Sequence, residues 1–220
     1  MGVFKAYDIR GLVPSEMNAD LAKRIGSAFA RLLDAKKILV GQDMRTHSPE
    51  IAGALIDGVR DAGCDVISIG LASTPMTYWG IGSMDVDGGL CVTASHNPGE
   101  YNGMKLCSRD AKPISAANGI LDIERMVGEA QPAPVAQRGS LTELEGLGDY
   151  AKHVAGFASG DHSKMSIAID AANGMAGHTL PAILEHLALN EVSTLFMEPD
   201  GTFPNHEANP LKEENLDPVR

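Results

Sequence analysis

A hydroxyl, an imidazole and a carboxamide stand in succession at Ser95, His96 and Asn97, and an ammonium group follows at Lys105. The apolar run Gly89-Leu90-Cys91-Val92 precedes them and reads as a buried strand. Pro98 and Gly99 keep the polar stretch out of any helix. Asn102-Gly103 has the composition of a tight turn, which would fold Lys105 back beside the serine. An oxygen nucleophile, a proton-handling ring and a cation this close in sequence suit phosphate chemistry. A serine hydrolase is the competing chemistry, but neighbours in sequence seldom point at each other and no G-x-S-x-G elbow surrounds Ser95. His96 is therefore not expected to act as the base of a Ser-His pair. By composition alone, a solvated polar turn with no chemistry stays open.

The longer string decides between these. Thr93-Ala94-Ser95-His96-Asn97-Pro98-Gly99-Glu100-Tyr101-Asn102-Gly103-Met104-Lys105-Leu106 resembles the active-site serine loop of the α-D-phosphohexomutases. Phe4-Lys5-Ala6-Tyr7-Asp8-Ile9-Arg10-Gly11 resembles that family's amino-terminal signature, in the form used by its bacterial phosphomannomutase/phosphoglucomutase branch. Gly41-Gln42-Asp43-Met44-Arg45 keeps the Gly, Asp and Arg of the next family loop. Asp170-Ala171-Ala172-Asn173-Gly174-Met175-Ala176-Gly177 is similar to the opening of the second domain. Asp200-Gly201-Thr202-Phe203-Pro204-Asn205-His206, with Asn209-Pro210 and Glu214-Asn215-Leu216, is similar to a later stretch of it. The matches run in family order along nearly the whole chain.

The resemblance implies three-layer α/β/α domains with mixed, largely parallel sheets: domain I over residues 1–140 and an incomplete domain II over 141–220. It implies reversible transfer of phosphate between the 1- and 6-positions of a hexose, on mannose or glucose phosphates, through a phosphoserine enzyme and a 1,6-bisphosphate. On that reading Ser95 carries the phosphoryl group and, through its phosphate, contacts Mg²⁺. His96 and Asn97 surround the phosphoserine. Lys105 contacts the phosphate and assists proton transfer, and Arg10 reaches it with the guanidinium geometry that phosphate favours. Tyr7 falls near the active cleft, with a packed core tyrosine as the alternative. Glucose 1,6-bisphosphate or mannose 1,6-bisphosphate would be the activator, and hexose phosphates the substrates. The family's Asp-Gly-Asp-x-Asp-Arg metal loop and its Gly-Glu-x-x-Gly-His sugar loop do not occur in these 220 residues. The chain alone is therefore expected to be an inactive fragment. A non-catalytic binding or regulatory module built from a mutase front half, and a sugar-phosphate phosphatase, are the alternatives.

Composition narrows the class. A hydrophobic fraction of 44% with 21% charged residues is that of an ordinary soluble domain. A formal net charge of -11 argues against a nucleic-acid surface, which calls for clustered Lys and Arg. No stretch has the length and apolarity of a membrane span, and the amino terminus lacks the order of a secretion signal. Cys64, Cys91 and Cys107 lack Cys-x-x-Cys spacing and suit reduced thiols in a cytoplasm.

The elements that must position these residues alternate. Helical periodicity over Leu21 to Leu33 precedes the apolar run Ile38-Leu39-Val40. Pro49 opens a helix carried by Glu50 to Ala62 and stopped at Gly63. Asp65 to Ile69 reads as a strand, Pro75 to Ser83 as a helix, and a strand ends at Val92. Gly128 to Ser140, rich in Pro, Ala, Gln and Gly, is the expected boundary. Beyond it, helix near Tyr150 to Phe157, strand over Met165 to Ile169, helix over Met175 to Leu187 and strand over Val192 to Phe196 repeat the αβ order. Asp43 and Arg45 are expected to support structure, as an ion pair or a cap for the next helix. Asn173-Gly174 and Gly177, between strand and helix, could cradle an anion. They lack the G-x-G-x-x-G spacing of a dinucleotide site, so a tight structural turn is the favoured reading. His206, a lone loop histidine, is left unassigned as a metal ligand.

Overall fold

A computed structural model describes residues 2–219. The chain divides into two compact units, one of residues 2–43, 47–94 and 100–144, the other of residues 44–46, 95–99 and 145–219.

The first unit is a mixed sheet between helices. Its strands are β1 (Ile9–Leu12), β2 (Lys37–Gln42), β3 (Asp65–Leu71), β4 (Gly88–Val92), β5 (Tyr101–Ser108), β6 (Lys112–Pro113) and β7 (Leu141–Glu143). The order is β1-β5-β4-β2-β3-β7, with β6 paired to β5. The run β4-β2-β3-β7 is parallel, whereas β5 lies antiparallel to β1, β4 and β6. The helices are α1 (Ala19–Leu32), α2 (Ser48–Asp61), α3 (Thr74–Ser83) and α4 (Leu121–Gly128).

Local chemistry sets these elements. Asn18 caps α1, its side-chain oxygen accepting from the Leu21 amide at 3.0 Å, with Asp20 in the first turn and Arg31 in the last. Ala22, Ile25, Gly26 and Phe29 recur at helical spacing and are buried. Pro49 occupies the first turn of α2, and Ser73 caps α3 by accepting from the Met76 amide. In β2, Ile38 and Val40 join one core with α1, α2 and α4. Leu39 turns to the other face, toward Gly80 of α3. Three layers result. β4 is buried at every position, as a central strand covered on both faces must be.

The structure departs from the sequence reading at Asn102-Gly103. These residues are the second and third of β5, not a tight turn. A Cβ on Gly103 would come within 2.0 Å of the Ile9 carbonyl, so the glycine serves the close approach of β1. Antiparallel pairing, with Lys105 opposite Cys91, returns the lysine alongside β4. The expected boundary segment is also tied down. Val135 N donates to the Asp61 carbonyl at 2.9 Å, Gly139 N donates to the Arg60 carbonyl at 3.0 Å, and Arg138 bridges Asp57 and Asp61. With β7 paired to β3, the first unit runs to Leu144, four residues beyond the Ser140 expected from composition.

The second unit contains α5 (Leu147–Ala155), β8 (Ser166–Asp170), α6 (Ala176–Leu184) and β9 (Glu191–Leu195), with β8 parallel to β9. Between β8 and α6, Ala172 and Asn173 take left-handed conformations at φ 48° and 54°. Asp170 Oδ1 accepts from the Ala172 amide at 2.7 Å, in the way Asp commonly closes a turn. Asn173 donates to the Glu198 carbonyl at 2.9 Å and accepts from Asn205 at 2.8 Å. A Cβ on Gly177 would lie 1.7 Å from the Met197 carbonyl oxygen. The Asp170 and Asp200 stretches thus form one bonded turn, and the Asn173-Gly174 segment reads as structure.

Candidate active site

Residues 95–99 follow β4 by two residues and precede β5 by one. The carboxyl ends of strands in open α/β sheets are where ligands usually bind. Ser95 is exposed and has φ 57°, a left-handed conformation that serine adopts only where surrounding contacts hold it.

Arg45 supplies those contacts. Only 1% of its surface is exposed, and its Nη2 donates to the carbonyls of Ser95 at 2.9 Å and Asn97 at 2.6 Å. Its Nη1 donates to the Pro98 carbonyl at 2.7 Å. The guanidinium carbon lies 5.1 Å from the centroid of the Phe203 ring, a cation–π distance. Backbone also packs closely between these segments: a Cβ on Gly201 would meet Arg45 Cα at 2.5 Å, and one on Gly99 would meet the Gly201 carbonyl at 3.0 Å.

His96 is exposed, with Nδ1 3.5 Å from Ser95 Oγ. That separation exceeds the range of about 2.6–3.2 Å in which a general base takes a proton directly. Asn97 is half-buried, and its carbonyl is engaged by Arg45.

In the first unit, β1 carries Arg10 and β5 carries Lys105. Both lean on Asp8: Arg10 Nε lies 3.6 Å from Oδ1 and Lys105 Nζ lies 3.9 Å from Oδ2. Asp8 thereby gathers two cations at the edge of the sheet, each still partly exposed. Tyr7 is 81% exposed, which removes the packed-core alternative. Asp43 accepts from the Ser48 hydroxyl and is 4% exposed, so it acts as a buried anchor at the start of α2.

Sequence reasoning missed Asp8, Ser48, Asn102, Gly201 and Phe203, and it placed Arg45 only as general support. The one available signal for Asp8 was its position inside the amino-terminal signature. Gly201 and Phe203 likewise stood only inside a family-like string, and nothing there marked their packing against the Arg45 backbone and guanidinium, far away in sequence.

Among the described residues, no three His, Cys, Asp or Glu side chains converge as a metal-binding set. A hard cation needs several oxygen ligands, and a Ser95 phosphate would supply part of that set at most. The described residues thus do not by themselves make a Mg²⁺ site. No described helix is long and apolar enough to cross a membrane.

Comparison with known proteins gives the arrangement its context. The family model described as phosphoglucomutase/phosphomannomutase, alpha/beta/alpha domain I, matches residues 1–132, and the domain II model matches residues 148–220. The chain is 42% identical to a phosphomannomutase of Escherichia coli, covering 99% of this chain and 50% of that protein. It is likewise 42% identical to the phosphohexose mutases of Xanthomonas campestris pv. campestris (strain B100), covering 97% of this chain and 48% of theirs. The crystal structure of a phosphoglucomutase/phosphomannomutase family protein from Burkholderia thailandensis matches with a TM-score of 0.89 at 32% identity, over 99% of this chain and 48% of that one. The chain thus spans about half the length of the curated relatives it matches. Matched in order by both domain models over most of its residues, it belongs to the phosphoglucomutase/phosphomannomutase family.

Proposed function

We propose that this chain is the nucleophile-bearing half of a phosphohexomutase, acting on mannose or glucose phosphates, in which Ser95 carries the phosphoryl group. The observation that carries this reading is the presentation of Ser95: an exposed hydroxyl on a left-handed residue, in a loop whose carbonyls are drawn onto one buried arginine. A surface turn without chemistry has no need of so costly an anchor.

In the forward half-reaction the phosphorus–oxygen bond to Ser95 Oγ breaks as a bond forms to the acceptor hydroxyl of the sugar monophosphate. The sugar hydroxyl proton passes to a base, and Ser95 ends protonated. The 1,6-bisphosphate then turns end for end, and Ser95 takes a phosphoryl group from its other end. The net change is movement of phosphate between the 1- and 6-positions. Transfer of this kind relies on positioning and charge neutralisation. Arg10 and Lys105 are the cations for that work, and Lys105 is the candidate to move the hydroxyl proton. Mg²⁺ would add charge neutralisation at the phosphate when bound, with glucose or mannose 1,6-bisphosphate as activator. Turnover is expected to need more of the protein than this half.

Incubation with glucose 1,6-bisphosphate and Mg²⁺, followed by intact mass and peptide mapping, tests the reading. One phosphoryl group on Ser95 is expected, with none on the Ser95→Ala chain. Labelling at another residue, or equal labelling of Ser95→Ala, overturns it.

A further inference from the structure

The serine loop departs from an ordinary exposed turn in how its backbone is satisfied. Three carbonyls in four residues, those of Ser95, Asn97 and Pro98, accept from a single guanidinium that has 1% of its surface exposed. Burying a guanidinium costs several kcal/mol unless its donors are matched, and here backbone carbonyls are among the groups that match its Nη donors. A planar fork of donors can hold several carbonyls at once in a way that a lysine cannot. The aromatic face of Phe203 lies 5.1 Å from the guanidinium carbon. The Gly201 backbone lies against that of Arg45, since a Cβ there would meet Arg45 Cα at 2.5 Å.

We propose that Arg45 is a positioning residue for the nucleophile: by gripping the carbonyls of Ser95, Asn97 and Pro98 against Phe203, it fixes the left-handed backbone that presents the Ser95 hydroxyl. This rests on the reading of Ser95 as phosphoryl carrier for its functional consequence, but not for its structural one. Arg45 acts through the loop backbone, and the segment around Phe203 takes part in setting nucleophile geometry although it lies in the stretch matched by the domain II model.

Two readouts on the 220-residue chain test this. The first is the carbonyl ¹³C shifts of residues 95, 97 and 98 in wild type, Arg45→Lys and Phe203→Leu, with β2 and β3 as internal reference. Shifts at those carbonyls, against an unchanged reference, are expected. Unchanged loop carbonyls in Arg45→Lys overturn the proposal. The second is the rate of Ser95 phosphorylation by glucose 1,6-bisphosphate with Mg²⁺. Arg45→Lys is expected to be slower by at least 100-fold and Phe203→Leu by about 10-fold, at unchanged melting temperature for Phe203→Leu. Added guanidinium ion at millimolar concentration should partly restore the rate in Arg45→Ala. A wild-type rate in both Arg45→Lys and Phe203→Leu also overturns the proposal. If the wild type takes up no phosphoryl group, the transfer requires groups outside this chain, and the carbonyl shifts alone decide the role of Arg45.

Discussion

Asn102 donates its side-chain amide to the Ser48 hydroxyl across 2.9 Å, and neither residue has any exposed surface. Ser48 in turn donates its hydroxyl hydrogen bond to the buried Asp43 carboxylate, so a polar chain runs from the end of β2 through the start of α2 to the start of β5. The backbone adds to it, with Asp43 N donating to the Val92 carbonyl and Thr93 N to the Gly103 carbonyl, each at 2.9 Å. Both stems of the serine loop are held by this network. Ser48→Ala leaves two buried polar groups facing a methyl, and an unsatisfied buried partner costs about 1–3 kcal/mol. Urea unfolding of the variant should show a loss in that range. A loss below about 0.5 kcal/mol, the level of a surface change, would mean that water or a rotamer change replaces the bond.

The fold was legible where one segment carried its own signal. α1 and α2 show helical spacing, and β2, β3 and β4 are apolar runs, so each matches its expected position within a few residues. β1, β5 and β7 were not legible. Ile9-Arg10-Gly11-Leu12, the Tyr101-Asn102-Gly103 start of β5 and Leu141-Thr142-Glu143 lack an apolar run or alternation, and only a neighbouring strand makes them strands. The same limit applies to the site. Ser95, Arg10 and Lys105 are marked by residue type and by the strings around them. Arg45 grips backbone carbonyls, which every residue possesses, so no pairing of residue types in the sequence could reveal what it binds.

His206 gives the second unit a dependence on pH. Its Nδ1 faces the Glu207 carbonyl at 2.9 Å and its Nε2 faces Asp170 Oδ2 at 3.0 Å. Both partners are acceptors, so both ring nitrogens must donate, which only the imidazolium can do. Burial opposes that charge most strongly, yet the carbonyl and the carboxylate together outweigh it and raise the group above its ordinary 6.5. Lys212 is occupied with Glu207, and Asp200 with Thr202. A raised folded pKa means that stabilisation is fully present below about pH 6.5, the unfolded value, and is lost as pH rises through the folded value. Thermal unfolding of the second unit should therefore move to lower temperature between pH 6 and pH 9. The fall should be shallower in His206→Asn, and parallel slopes in the two proteins would count against the ion pair.

The three cysteines should be chemically silent in the folded chain. Burial pushes the Cys64 thiol up to about 12, with the charges of Asp87 and Asp65 adding to it. Burial likewise pushes Cys91 and Cys107 up to about 11, against opposing hydrogen bonds from Thr77 and Thr74 to Cys91 and from Tyr78 to Cys107. The thiolate is the reactive form, so almost none is available near neutrality. Ellman's reagent at pH 8 should find no fast thiol in the native protein and three after unfolding in urea. A single fast native thiol would show that the structure opens locally around one of them.

Two glycines of α2 separate packing from propensity. A Cβ on Gly58 would lie 1.8 Å from the Lys23 carbonyl oxygen of α1, and one on Gly26 would lie 2.2 Å from the Leu55 carbonyl. The helices meet backbone to backbone there, and no flexible side chain can yield. A Cβ on Gly53 would meet nothing within 4 Å. In an open helical position alanine is favoured over glycine by up to about 1 kcal/mol, because glycine loses more backbone entropy. Gly53→Ala should therefore stabilise the first unit by up to about 1 kcal/mol. Gly58→Ala must drive α1 and α2 apart across their buried seam, where overpacking costs about 1–3 kcal/mol or more. Opposite shifts in melting temperature are the expected result. A stabilised Gly58→Ala would mean that the two helices can separate without loss, and that the seam between Gly26 and Gly58 does not set their spacing.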